Sequence, residues 1–134
     1  NVFMSLLESI LLSARNGRFE SKKDAILAAL EFIQIHYAEE ISICELAEQF
    51  GMKRRRFSYL FEQLTGFTPI DYLTEFRISR AKELLRTSDF SITKIAEKVG
   101  YSDSFYFSRV FKKRSNLSPS AYREKHTIDL LSIQ

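Results

Sequence analysis

The sequence predicts an all-α fold: two homeodomain-like helix-turn-helix subdomains joined by a long central helix. Three observations lead there. Apolar residues recur at helical spacing along most of the chain, and no strand-like alternation runs far. Only two prolines, Pro69 and Pro119, interrupt 134 residues. The segment "SICELAEQFG", Ser42 to Gly51, returns as "SITKIAEKVG", Ser91 to Gly100, at an offset of 49.

Residues 1–20 read as an N-terminal helix and linker belonging to a missing upstream domain, since the chain begins with Asn rather than Met. Val2, Phe3, Leu6, Leu7, Ile10 and Leu11 form its apolar stripe, which ends near Asn16-Gly17, and "RNGRFESKK" follows as a polar linker. The stripe is expected to pack on the missing domain, to pair with a second copy, or to fold back on the neighbouring subdomain.

Residues 21–66 form the first helix-turn-helix subdomain. Ala25, Ile26, Ala29, Leu30, Ile33 and Tyr37 define its first helix, and a short helix in "SICELAEQF" follows. Gly51 turns the chain into a helix from about Arg54 to Leu64. Residues 67–90 hold the connecting helix. "TGFTP" breaks the chain, Pro69 fits a first helical turn, and Ile70, Leu73, Phe76, Ile78, Ala81, Leu84 and Leu85 continue the apolar faces to about Arg86. At helical rise this element spans about 27 Å. Residues 91–126 form the second subdomain: a short helix from Ser91, a turn at Gly100, a helix from about Ser104 to Arg114, and a short closing helix in "SNLSPSAYREK". Residues 127–134 are a tail.

Beyond the glycines the offset becomes 50, so that Phe57, Leu60 and Phe61 match Phe107, Val110 and Phe111, Pro69 matches Pro119 and Tyr72 matches Tyr122. A short helix, a glycine at positive φ and a second helix at a steep angle make a helix-turn-helix. Ala47 and Ala96 allow close helix approach. Leu46, Phe50, Met52, Phe57 and Leu60 fill one wedge, and Ile95, Val99, Tyr101, Phe107 and Val110 the other.

Lys53, Arg54, Arg55 and Arg56 crowd the start of a helix, where the dipole disfavours cations by about 0.3–1 kcal/mol each. In a helix-turn-helix, that part of the second helix enters the DNA major groove. The cations thereby acquire a partner, double-stranded DNA. The net charge of only +3 conceals this clustering, and residues 91–134 alone carry eight cations against four anions, a net of +4.

The single cysteine, Cys44, excludes an internal disulfide and a Cys-rich zinc site, and places the chain in a reducing, cytoplasmic setting. With Ile43 and Ala47 beside it, Cys44 is expected to be buried or half-buried. His36 and His126 have no companions at ligand spacing, so neither metal nor cofactor is expected. No apolar run is long enough to span a membrane. Paired carboxylates such as Glu39-Glu40 sit where a helix ends, and no Gly-rich phosphate loop is present. Catalysis is not expected: a repair methyltransferase on this fold would need a reactive cysteine in a polar site.

The stretch "RISRAKELLRTSDFSITKIAEKVGYSDSFYFSRVFKKRSNLSPSAYR" resembles the signature of the AraC/XylS class of bacterial transcription regulators, and the likeness runs from about Asp24 to Lys125. The resemblance implies a C-terminal DNA-binding domain with two recognition helices in successive major-groove segments on one face of the duplex. It also implies a sensing or dimerising companion domain and, when bound to an operator, contact with RNA polymerase. Two departures stand out. Lys53 occupies a position where the family often has Ser, which removes a helix cap. Asn116 replaces the counterpart of Gly66, and Asn tolerates left-handed backbone, so the path is expected to be unchanged.

Since Phe57, Leu60 and Phe61 face inward, the first recognition helix offers Arg54, Arg55, Ser58, Tyr59 and Glu62 outward. Arg55, Ser58 and Tyr59 are assigned to base edges, and Lys53, Arg54 and Arg56 to phosphates. In the second subdomain Ser104, Phe105, Ser108 and Arg109 are assigned to bases. Arg109 is the foremost guanine contact and Phe105 suits a thymine methyl. Lys112 and Lys113 are assigned to phosphates, with Arg114 beside them as a backbone contact or a solvated charge. Tyr106 is read equally as core or as surface. Successive major-groove faces of straight DNA lie about 34 Å apart, more than the connecting helix spans. The DNA is therefore expected to bend, or one subdomain to seat incompletely. The rival reading is a protein-interaction module that kept the fold and lost DNA binding.

Overall fold

The structure is a computed structural model that describes residues 22–133. The expected N-terminal stripe lies outside the described residues. The described residues form seven helices: α1 (Lys22–His36), α2 (Ile43–Gln49), α3 (Arg54–Thr65), α4 (Pro69–Thr87), α5 (Ile92–Lys98), α6 (Ser104–Ser115) and α7 (Pro119–Ile133). They form two compact units that divide between Leu73 and Thr74, inside α4.

In the first unit α1 packs against α3, and α3 against α2. Ile26, Ala29, Phe32 and Ile33 of α1 meet Ile43, Leu46 and Ala47 of α2, Phe57 and Phe61 of α3, and Leu73 of α4 in one buried cluster. The Ser42 hydroxyl opens α2 by accepting from Glu45 N at 3.3 Å. Gly51 then turns at φ 71°, a conformation that costs glycine little, and Met52 N donates back to Ala47 O at 3.0 Å. Gly66 ends α3 in left-handed geometry. The Tyr72 ring stands edge-on to Phe61 at 5.6 Å, and its hydroxyl accepts from Gln34 Nε2 at 2.7 Å.

The second unit repeats this construction with other side chains. The Ser91 hydroxyl accepts from Lys94 N at 3.1 Å, and Tyr101 N donates to Ala96 O at 2.8 Å across the turn. The Phe107–Phe111 ring pair has the same 5.9 Å separation as Phe57–Phe61. Tyr122 meets Phe111 edge-on at 5.5 Å, as Tyr72 meets Phe61. Asn116 takes φ 65° and ψ 2° against 83° and −1° at Gly66, so the chain leaves α3 and α6 by the same turn. Arg123 closes the end of α4, donating to the carbonyls of Leu85 and Ser88 at 3.2 Å each.

Several expectations need correction. Cys44 is exposed. Ile43, Leu46 and Ala47 share the buried face of α2, and position 44 is turned away from it, so apolar neighbours in sequence did not mean an apolar surrounding. Helix α1 begins at Lys22, inside the stretch read as linker. The closing helix is not short: α7 runs 15 residues, with no Gly or Pro after Pro119 to stop it. On α4 only part of the apolar set turns inward. Leu73, Ile78, Ala81 and Leu85 are buried, whereas Ile70 is 48% exposed.

Candidate nucleic-acid interface

Helix α3 is the second helix of the first helix-turn-helix. Lys53 stands at its N-cap in extended backbone, makes no side-chain cap hydrogen bond, and no acid occupies the first turn. The amide groups there and the side chains of Lys53, Arg54, Arg55 and Arg56, all exposed, present one concentrated positive end. One and two turns on, Ser58 is half-buried, Tyr59 is 57% exposed and Glu62 is exposed. Phe57 and Phe61 are fully buried and Leu60 half-buried, so the inward face is as the periodicity required.

Helix α6 reaches the same geometry by the opposite chemistry at its start. Asp103 is the N-cap, and its Oδ1 accepts from Phe105 N at 2.9 Å and Tyr106 N at 3.2 Å. Sequence reading missed this cap because the extra residue of the second turn sets Ser102-Asp103 opposite the lone Lys53. A stretch of the form S/T/D/N ahead of an apolar run was the available signal. On the outward face Phe105 is 81% exposed, Arg109 is exposed, and Ser104 and Ser108 are half-buried. Lys112 and Lys113 are exposed in the last turn, where cations suit the helix dipole. Arg114 departs from this set: its Nη1 donates to Glu75 of α4 at 2.8 Å.

The structure decides the two readings of Tyr106 in favour of the surface. Tyr106 is 50% exposed, and the Arg109 guanidinium carbon stands over its ring, 5.8 Å from the centroid. Beneath it Tyr101 is buried, with Arg77 of α4 over its ring at 5.3 Å. Burial raises the Tyr101 phenol above its ordinary pKa, with the Arg77 charge opposing, so the ring stays neutral at physiological pH. Burial likewise lowers Arg77, which an arginine withstands without losing its proton.

Each outward face thus carries cations, hydroxyls and aromatic rings on the second helix of its own helix-turn-helix. A family model described as a helix-turn-helix domain matches residues 46–125, from within α2 to within α7. The chain belongs to the AraC/XylS family of helix-turn-helix transcription regulators. This AraC-type chain is 35% identical over 123 residues to the HTH-type transcriptional activator RhaS of Escherichia coli (strain SE11). The match covers 92% of the chain and 44% of that regulator, so the chain spans less than half the length of this relative. Among solved structures it resembles the C-terminal domain of AraT, a response regulator from Geobacillus stearothermophilus, with a TM-score of 0.72 and 33% identity over 75% of this chain and 84% of that one. It also resembles the DNA-binding domain of the transcriptional factor AdpA, solved with a target DNA, with a TM-score of 0.73 and 29% identity over 78% of this chain and 94% of that one. Among the described residues no helix is long and apolar enough to cross a membrane.

Proposed function

We propose that this AraC-type chain binds double-stranded operator DNA sequence-specifically, with α3 and α6 in successive major-groove segments. The observation that carries the reading is the exposure of Lys53 to Arg56 at the uncapped start of α3, which leaves a positive helix end suited to phosphate. Arg55, Ser58 and Tyr59 on α3 read base edges, as do Ser104, Phe105, Ser108 and Arg109 on α6; Arg and Ser have the donors and acceptors that major-groove edges require. Lys53, Arg54, Arg56, Lys112 and Lys113 hold phosphates and set the register. RNA polymerase is the protein partner when the chain is on its operator, and the setting is the cytoplasm. A homodimer through the N-terminal stripe or a further domain fits the family's organisation. The reading assigns no chemistry on a substrate.

Salt titration tests it against the rival protein-interaction module. Contact with about six to ten phosphates makes affinity fall about 10³- to 10⁵-fold between 50 and 200 mM salt. Fluorescence anisotropy on labelled duplexes is expected to show that slope, together with tighter binding to a duplex enriched from a random pool than to an unselected one. A flat salt response with no enriched duplex contradicts the reading.

A further inference from the structure

We infer that Tyr106 is a positioning residue for Arg109: its ring holds the guanidinium ready for a base edge and thereby sets the specificity of the second recognition helix. The inference rests on the reading that Arg109 contacts a base. Arg109 lies one turn after Tyr106 on α6, with its guanidinium carbon over the ring at 5.8 Å. A cation–π contact of this kind restrains the guanidinium without using its N–H donors, which stay available to a ligand.

The ring is itself held from below. Tyr106 packs against Tyr101 with centroids 5.9 Å apart, and Tyr101 packs on buried Phe107 at 5.5 Å. Arg77 covers Tyr101 and crowds the turn so closely that a Cβ at Gly100 would stand 3.0 Å from its guanidinium carbon. Cation, ring, ring and cation thus form one ladder from the core to the outward face. A free arginine gives up much rotamer freedom on binding; one already held over a ring gives up less. The first subdomain carries the same two residue types in reverse order, Arg56 and Tyr59, and Met52 stands where the second has Tyr101. The ladder therefore belongs to α6.

The test combines side-chain dynamics with binding in the whole 134-residue chain. In the DNA-free protein, NMR relaxation at Arg109 Nε is expected to report an ordered group in wild type and Tyr106→Phe and a loosened one in Tyr106→Leu. Equal mobility in all three overturns the inference without any reference to DNA. On the duplex that wild type enriches from a random pool, Tyr106→Phe is expected to bind as wild type, and Tyr106→Leu about two- to fivefold more weakly, the factor of an exposed cation–π pair. In an Arg109→Ala background Tyr106→Leu is expected to change nothing further. If it weakens binding there as much as in wild type, Tyr106 touches DNA on its own account and the inference fails. If Arg109→Ala leaves every base preference intact, it is the base-reading assignment that fails instead.

Discussion

Gly100 and Gly51 occupy the same turn of the repeat, yet a side chain would meet different surroundings at each. Gly51 takes φ 71° with nothing within 4 Å of a built Cβ, whereas Gly100 takes φ 103° beneath Arg77. Gly51→Ala is expected to cost about 1–3 kcal/mol from backbone strain alone. Gly100→Ala must also displace the guanidinium and is expected to cost more; urea denaturation followed by circular dichroism compares the two. On the interface, Arg54→Ala is expected to weaken every duplex alike, whereas Arg109→Ala also erases about 1–3 kcal/mol of preference at one base pair. Competition binding with singly substituted duplexes separates these outcomes. The outward arginines were legible from the spacing of Phe57, Phe61, Phe107 and Phe111, because core positions on a helix fix the opposite face. Cys44 and Tyr106 were not. Position 44 turns away from the face of Ile43, Leu46 and Ala47, and Tyr106 stands beside buried Phe107, so apolar neighbours in sequence do not fix which way either side chain points.

At the scale of elements, α3 and α6 share length, exit turn and inner face, and they differ at the cap. Asp103 satisfies two amides of α6, and Lys53 satisfies none of α3. Lys53→Ser is expected to stabilise the free chain by about 1 kcal/mol by supplying the missing acceptor. The same change removes a cation from the proposed phosphate contact and is expected to weaken binding to all duplexes. Chemical denaturation and anisotropy on one preparation check both signs, and a variant that gains on both counts contradicts the account. The repeat was legible because its glycines, prolines and aromatics mark turns and core, whose geometry allows few residue types. Caps and helix ends were less so. The inserted residue hid Asp103, and the end of α7 carries no breaker in the sequence.

For the whole molecule, what matters is that one chain carries two recognition helices and a helix shared between their units. Both α3 and α6 are proposed to enter the major groove, in segments whose faces on straight DNA lie roughly 34 Å apart. The two-subdomain architecture was visible in the sequence because a tandem repeat displays its own period. The operator was not, since base choice rests on the settings of a few side chains, which residue type alone does not fix. The most direct measurement is selection from random DNA by three chains: wild type, one with Arg55, Ser58 and Tyr59 changed to Ala, and one with Phe105, Ser108 and Arg109 changed to Ala. The account predicts a wild-type motif of two blocks about one helical turn, roughly 10 base pairs, apart, with each variant losing a different block. A single block, or the loss of both blocks in either variant, would contradict it.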